Sequence, residues 1–459
     1  MANSEKFDFI IIGTGQAGPS LAARCAEEGL KTAIIERDQF GGTCVNTGCT
    51  PTKAMVASAR AAHMVNRMDD FGVDINGSVS VDMAKVKARK DTIVKESTEG
   101  IEHWLKNTEN LTVYEGHARF EDEKVLSVGN KQLTADKIFI NVGGRAFIPP
   151  GFEEVDYLTN SSIMELDEVP EHLIIVGGGY IGLEFGQIFS RFGSKLTIIE
   201  QGHRLLPKED EDVSNAIRDI LEDEGINLRF GAECIGGSNN NGQVVVGVNC
   251  ESGPPKIKGS HLLLATGRRP NTDDLGLENT TIETDERGFI RVDDQLKTTA
   301  DGIWALGDCN GEGAFTHTAY NDFEIVAANL FNNKPRRLSD RIMCYALYVD
   351  PALGRVGMTE AQAKGSDRNV LIGKRPMSRI ARAKEKGETK GFMKVLVDAD
   401  SKQILGAAIL GIEGDEIIHS IIDIMYAEEP YTTIRDAVHI HPTVSELIPT
   451  MLENLKPLE

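Results

Sequence analysis

Two cysteines with four residues between them, Cys44 and Cys49, lie in the run Gly41-Gly42-Thr43-Cys44-Val45-Asn46-Thr47-Gly48-Cys49-Thr50-Pro51-Thr52-Lys53. A pair at this spacing suits a redox-active disulfide. The reactive form is the thiolate, and a helix beginning around the pair, with the Lys53 cation nearby, would lower a thiol pKa. Near the far end, His441-Pro442-Thr443-Val444-Ser445-Glu446 offers an imidazole and a carboxylate, the acid–base pair that thiol chemistry needs. His441 is the candidate base and Glu446 the group that orients its ring. Thr443 to Glu446 also matches a capping box, so Glu446 has a competing role at a helix start. His439 is read as a bystander. The two ends together point to an enzyme that reduces or oxidises sulfur, against the alternative of two buried structural cysteines.

The elements that must position these groups show an internal echo. Phe9-Ile10-Ile11-Ile12 leads into Gly13-Thr14-Gly15-Gln16-Ala17-Gly18, a helical pattern, and the strand Lys31 to Ile35 ending at Glu36. Later, Leu173-Ile174-Ile175-Val176 leads into Gly177-Gly178-Gly179-Tyr180-Ile181-Gly182, a second helix, and the strand Leu196 to Ile199 ending at Glu200. In both copies the acid stands 23 positions after the first glycine. A lone glycine pattern is weak evidence, but strand, turn, helix and acid in order make each copy a dinucleotide-binding βαβ unit. The helix N-terminus would then face a pyrophosphate. Glu200 favours NADH, because a carboxylate at that strand end accepts ribose hydroxyls and repels a 2′-phosphate. His203 and Arg204 lie close enough to keep NADPH as the alternative donor.

Composition narrows the class. At 459 residues the chain has room for about three domains, and 41% hydrophobic with 26% charged residues is ordinary for a soluble globular protein. A net charge of −21 argues against nucleic acid or an anionic membrane as partner. No apolar run reaches membrane-spanning length, and the short polar start at Met1 to Lys6 lacks the order of a signal peptide. Seven cysteines in so long a chain do not make a disulfide scaffold, so a reducing cytoplasm is the expected setting. Cys25, Cys234, Cys250, Cys309 and Cys344 have no partner at a meaningful spacing, and no zinc-like cluster is present, so no metal site is expected.

Between the two units, residues 55–110 read as helical, and Leu111 to Tyr114 and Lys137 to Val142 as short strands. Pro149-Pro150-Gly151 is the expected crossover, Gly236 to Gly242 a Gly/Asn-rich turn, and Leu262 to Leu264 a strand. From Leu338 onward, strands near 342–349, 369–373 and 392–397 precede helical patterns near 414–428. The basic stretch Arg375 to Lys390 is expected to be a solvated hairpin.

Through the redox run, both nucleotide turns, Ala265-Thr266-Gly267-Arg268-Arg269-Pro270-Asn271, Thr298 to Asp308 and the terminal histidine motif, the chain resembles the class I pyridine nucleotide–disulfide oxidoreductases. That family includes lipoamide dehydrogenase, glutathione reductase and mercuric reductase. The resemblance implies an α/β fold of two Rossmann-like dinucleotide-binding domains plus a C-terminal α+β dimerisation domain. Residues 1–145 and 265–335 would bind FAD, 146–264 would bind NAD(P)H, and 336–459 would form the dimer interface. One departure is visible: Asn141-Val142-Gly143-Gly144-Arg145 replaces the usual Ala-Thr-Gly of the first crossover.

Carried over position by position, Gly13, Gly15, Gly18, Glu36, Gly42, Thr43, Lys53, Gly143 and Asp308 are the expected FAD residues. Glu36 resembles the acid on the adenosine ribose, and Asp308 the acid at the ribityl chain. Gly177, Gly179, Tyr180, Gly182, Glu200 and Gly267 are expected at NAD(P)H, with Tyr180 resembling the gate over the nicotinamide. Lys53 and Glu184 resemble the ion pair beside flavin N5. Cys44 resembles the interchange thiol and Cys49 the thiol against the flavin. His441 and Glu446 would serve the other subunit's cysteines, in a homodimer whose active site is shared. The expected activity is FAD-dependent transfer of electrons from NAD(P)H through Cys44–Cys49 to a small disulfide or oxidised-sulfur substrate. Dihydrolipoamide dehydrogenase and a mercuric reductase-like enzyme are alternatives. A diaphorase that bypasses sulfur, and a non-catalytic flavin redox sensor, are further ones. No cysteine follows Cys344, which disfavours true mercury reduction.

Overall fold

The computed structural model describes residues 4–249, 254–332 and 334–459. Phe7 to Ile12 is apolar at nearly every position, which suits a parallel strand covered on both faces. It lies in the central strand Glu5–Ile12 of a seven-stranded sheet, parallel to Thr32–Glu36 on one side and Lys131–Ile140 on the other. Leu111–Glu115 extends the sheet beyond Thr32–Glu36. Lys131–Ile140 pairs in parallel with Ile303–Ala305, and antiparallel with the hairpin strand Val125–Val128. The chain therefore returns to its first sheet after the second unit.

That second unit repeats the plan. His172–Val176 runs between Lys195–Ile199 and His261–Leu264, with Asn227–Arg229 outermost, all parallel. Its helix Tyr180–Phe192 buries Leu183, Phe185, Ile188, Phe189 and Phe192 in the core. Two short antiparallel strands, Gly144–Ala146 and Arg268–Pro270, form the strap where the chain leaves and re-enters the first unit.

Three local expectations change. The helical region expected over 55–110 is two helices, Cys49–Asn66 and Met83–Lys106, with a 3₁₀ turn at Met68–Phe71 and no helix over 72–82. Asp82 starts the second helix, its carboxylate accepting from the Lys85 N–H at 3.2 Å. The turn expected over Gly236 to Gly242 is mostly strand: Glu233–Asn240 pairs with Gln243–Asn249, and reversal is confined to Asn241 and Gly242. Their φ values of 49° and 77° place both in the left-handed region that such a two-residue hairpin needs. The basic stretch 375–390 is not a plain solvated hairpin. It joins Val370–Pro376 to Phe392–Asp398 through a 3₁₀ turn and the helix Ala381–Glu385, burying Met377, Ile380 and Ala383.

The last domain is a six-stranded antiparallel sheet backed by short helices. Two of its inner strands, Leu353–Gly357 and Ile404–Leu410, escape sequence reading because Gly and Ala interrupt their apolar runs. This sheet is locked to the second unit by a buried charge cluster. Lys394 Nζ lies 2.8, 2.7 and 2.5 Å from Asp210, Asp212 and Glu360, and Arg355 reaches Asp210 at 3.1 Å. Burial alone would drive the Lys394 pKa down, but hydrogen bonds to the three acids overcome it and hold it above the ordinary value. An ammonium thus meets the charge of the one described acidic group spaced to hold a cation. Removing it takes the buried central cation from three acids and leaves Asp210 to Arg355 alone, so Lys394→Ala is expected to lower stability by about 3–5 kcal/mol in urea denaturation. The half-exposed Lys386, paired with Glu413 at the surface, should cost less than about 1 kcal/mol on the same change.

Candidate active site: two thiols between two nucleotide cradles

Each glycine turn is shaped by backbone contact. Gly13 has φ 103° and Gly177 has φ 113°, and a Cβ on either would stand 2.3 Å from a carbonyl oxygen, of Asn141 and Ala265 respectively. At Gly18 and Gly182 an added Cβ would come within 2.1 and 2.0 Å of the Gly13 and Gly177 carbonyl oxygens. No side chain fits there, so each helix N-terminus is drawn onto the end of its strand, leaving N–H groups directed outward. The acids are fixed in matching ways. Glu36 accepts the backbone N–H of Thr14, Arg37 and Asp38, each at 2.9 Å. Glu200 accepts those of Gly178 and Gly202, both at 2.7 Å. In both units the carboxylate grips the second residue of the turn.

Gly42 packs against Gly15, which brings the redox run to the first cradle. Thr43 and Cys44 lie in the short helix Gly42–Asn46, and Cys49 is the first residue of the helix Cys49–Asn66. Both are free thiols here. The Thr316 hydroxyl, at the first position of the helix Thr316–Phe331, lies 3.0 Å from Cys44 Sγ and 3.1 Å from Cys49 Sγ. The pair is electrically asymmetric. The hydrogen bond from Cys44, helped by Thr316 and Lys53, outweighs burial and brings Cys49 down to about 6. Cys44 is pushed up, by donating that proton and by burial. At neutral pH Cys49 is the thiolate and Cys44 the thiol.

Lys53, one turn beyond Cys49, binds Glu184 at 2.7 Å. Glu184 is one turn beyond Tyr180 on the other unit's helix, and its second oxygen accepts the Tyr348 N–H at 3.0 Å. Tyr180 meets the rings of Phe315 and Tyr345 edge-on, and Phe315 stacks on both Tyr345 and His317. Glu209 accepts the Tyr345 hydroxyl at 2.5 Å and that of Tyr180 at 3.4 Å. Thr316 is carried between the stacked rings and the thiols. Asp308, in the 3₁₀ turn Gly307–Asn310, has its carboxyl held above the usual range by burial, against the pull of Arg268 at 3.7 Å. Gly143 and Gly267, with φ 62° and 118°, follow the crossovers with open space on their Cβ side, as does Gly179.

His441 Nδ1 lies 3.0 Å from both Glu446 oxygens. The Glu446 N–H donates to Thr443 Oγ1 at 3.2 Å, so the backbone half of the capping box forms while the carboxylate serves the imidazole. The ring is 75% exposed and Glu446 15%. Among the described residues, no hydrogen bond or ion pair joins His441 or Glu446 to the thiols of the same chain. Val438 and Ile440 beside it are fully or largely exposed.

Cys25 and Cys309 are buried with thiols pushed up, Cys309 to about 12, and Cys344 is half-buried. Cys250 and the side chain of Cys234 lie outside the described residues. Arg204, weighed as a phosphate ligand, donates to the Pro207 carbonyl at 2.8 Å. Sequence reading missed Thr316, Phe315, Tyr345 and Glu209. The one available signal was for Thr316, which opens a helix soon after the Gly307-Asp308 pair.

Two glycine cradles, two strand-end acids and a dithiol between them define a dinucleotide-dependent oxidoreductase. Residues 7–322 match the family described as pyridine nucleotide-disulphide oxidoreductase, and residues 343–452 match its dimerisation domain. The chain belongs to this family of FAD- and NAD(P)H-dependent enzymes, which act on disulfides as homodimers. It is 36% identical to the probable pyridine nucleotide-disulfide oxidoreductase RclA of Escherichia coli, over 98% of this chain and 100% of the relative. It is 32% identical to a dihydrolipoyl dehydrogenase of Haloferax volcanii, over 97% and 96%. The solved structure of RclA, described as an HOCl-induced flavoprotein disulfide reductase, superposes with a TM-score of 0.88 at 35% identity, over 97% of this chain and 99% of that one. A Cu(II) complex of RclA matches with a TM-score of 0.89. No helix among the described residues is long and apolar enough to cross a membrane.

The Thr316 hydroxyl adds to the hydrogen bond from Cys44 in holding Cys49 as the thiolate. Thr316→Val should therefore raise the Cys49 midpoint from about 6 by roughly one unit, the worth of one hydrogen bond to a charged group. The pH dependence of thiolate absorbance in the reduced protein checks this: signal grows as pH rises through the midpoint, and the variant's curve should lie at higher pH.

Proposed function

We propose that this enzyme carries two electrons from NADH to the Cys44–Cys49 disulfide and on to a small disulfide or other oxidised-sulfur substrate. The observation that carries the reading is the low-pKa Cys49 at the meeting point of both units, beside the Lys53–Glu184 pair. The net reaction is NADH + H⁺ + RSSR → NAD⁺ + 2 RSH. Bound FAD supplies the two-electron relay between nicotinamide and dithiol. The glycine turns fit it: with no Cβ on their packed face, each helix start comes onto its strand end and turns its N–H groups outward toward a diphosphate.

Glu36 holds the adenosine ribose and Asp308 the ribityl chain, with Gly13, Gly15, Gly18, Gly42, Thr43 and Gly143 lining the cofactor. In the second unit Gly177, Gly179, Gly182 and Gly267 line NADH, Tyr180 gates its nicotinamide, and Glu200 selects it over NADPH. Arg204, occupied by Pro207, supports that selection. Lys53 and Glu184 hold the polar edge of the flavin site. Cys44 attacks the substrate and Cys49 closes the disulfide by displacing the reduced sulfur. His441, oriented by Glu446, takes the Cys44 proton and later gives it to the leaving thiol. Its exposure, between exposed Val438 and Ile440, supports placing it against the thiols of a second subunit. Free thiols in resting residues such as Cys25 and Cys309 are compatible with a cytoplasmic setting. Cu(II) is the substrate of a second reading, favoured by the Cu(II) complex of RclA and by the affinity of thiolates for copper.

Anaerobic titration with NADH, and separately NADPH, tests the reading. A long-wavelength absorption band after two electrons per flavin is expected, with NADH the more efficient donor. Direct bleaching without that band would reject the dithiol path in favour of a diaphorase or sensor. Cys44→Ser should keep flavin reduction by NADH while disulfide turnover falls on the order of 10⁴-fold. A panel of dihydrolipoamide-type disulfides, oxidised-sulfur compounds, Cu(II) and mercuric ion then separates the substrate readings.

A further inference from the structure

Glu209 is 2% exposed, yet among the described residues only two phenol hydroxyls meet its carboxylate. Both meet the same oxygen. Oε1 accepts from Tyr345 at 2.5 Å and from Tyr180 at 3.4 Å, while the buried Oε2 has no hydrogen-bond partner. A buried carboxylate is costly unless its lone pairs are filled. One with an empty oxygen and a stretched second bond still draws whichever hydroxyl can move.

The three groups differ in how far they can move. Glu209 is fixed through its own backbone and its neighbour in the chain. Its N–H donates to the Leu206 carbonyl at 2.8 Å, and Asp210 is held by Arg355 at 3.1 Å and Lys394 at 2.8 Å. Tyr345 lies in the strand Cys344–Leu347 of the last domain, its ring stacked on Phe315 at 5.4 Å and 10°. Tyr180, the first residue of its helix, has no stacked partner among the described residues. It meets Phe315 and Tyr345 edge-on, at 74° and 71°, and is half-buried. Tyr180 is thus the ring free to swing, and Glu209 the fixed point its hydroxyl leaves. Burial, joined by the Glu209 charge, pushes the Tyr180 phenol up to about 12 and raises Tyr345 as well, so both hydroxyls are donors at neutral pH.

We propose that Glu209 is the positioning residue of the Tyr180 gate. It catches the Tyr180 hydroxyl in the closed position, and Tyr345, holding the same oxygen more closely, keeps that catch weak enough for the nicotinamide to displace the ring. This rests on the proposed role of Tyr180 at the nicotinamide. Two donors on one oxygen compete, so removing the Tyr345 hydroxyl leaves Tyr180 to satisfy the carboxylate alone. The gate then closes harder and NADH binds less well. Removing the charge has the opposite effect.

The concentration dependence of anaerobic flavin reduction by NADH, followed by stopped flow on the FAD-loaded enzyme, gives the NADH Kd of native protein and each variant. Tyr345→Phe, which keeps the ring and its stacking, is expected to raise Kd about fivefold, the worth of strengthening one hydrogen bond to a charged acceptor. In the Tyr180→Phe background the same change is expected to move Kd by less than about twofold, because no hydroxyl remains to be caught. Glu209→Gln, of the same shape without the charge, is expected to lower Kd about threefold. Tyr345→Phe without effect on native protein, or with the same effect in both backgrounds, would overturn the proposal, and so would a Glu209→Gln Kd that is unchanged or raised. Packing alone would then account for these residues. Tyr180→Ala tests the gate itself: reduction by NADH indistinguishable from native would reject the Tyr180 assignment on which the proposal rests.

Discussion

The ion pair between Lys53 and Glu184, 2.7 Å long, is the contact on which the site depends. It joins the helix that starts at Cys49 to the helix that starts at the second nucleotide cradle. Glu184 is almost fully buried, and a buried carboxylate without its cation is strongly unfavourable, so the two helices are held in one register. Cys49 stands one turn before Lys53 and Tyr180 one turn before Glu184, on the same helix faces. Fixing the pair therefore fixes Cys49 and Tyr180 relative to one another. Tyr348 adds to the lock by giving its N–H to Glu184 and its ring face to Lys53, with the ammonium 4.4 Å from the ring centroid. The last domain is thus tied to the same point.

Duplication accounts for the rest of the architecture. Each unit needs a strand end, a turn with no side chain facing inward, and an acid that accepts the second N–H of that turn. Glu36 and Glu200 meet this need with nearly the same geometry although 164 positions separate them. The copies diverge at the crossover, where Asn141 in the first unit stands at the place of Ala265 in the second. Lys394, caged by Asp210, Asp212 and Glu360, keeps the second unit seated on the last domain without contributing to either cradle.

Much of this was legible in the sequence because it is local. Glycine spacing, strand-end acids and the apolar strands before each turn are set within about 25 residues, and so were the cysteine pair and the His441–Glu446 pair. Thr316 was not legible, since its meaning comes from thiols some 270 positions earlier. The same holds for Glu209, which is one acid among many until Tyr180 and Tyr345 converge on it. The hairpin at 233–249 departs from its sequence pattern for a different reason. Glycine and asparagine weaken strand propensity, but pairing with Gln243–Asn249 overrides it everywhere except Asn241 and Gly242. In the stretch 375–390 the apolar or small Met377, Ile380 and Ala383 recur at helical spacing among the charged residues, and their burial decides the local structure.

The asymmetry of the thiols sets a requirement on the rest of the protein. Two sulfurs that share one proton cannot both be nucleophiles, and here the charge resides on Cys49, at the start of its helix. Cys44, placed to meet a substrate in the proposed function, keeps its proton and needs a base before it can attack. Within its own chain the adjacent hydroxyl, Thr316, is no base at neutral pH, and the pre-oriented imidazole of His441 faces outward. On the proposed reading, a dimerisation domain that presents His441 outward, flanked by exposed Val438 and Ile440, supplies what the thiol pair lacks once a second copy docks. The same division protects the reduced enzyme, because a Cys44 held as a thiol reacts slowly with stray oxidants until the acid–base pair reaches it. Dimerisation and thiol reactivity are then one design, with the proton on Cys44 as the link between them.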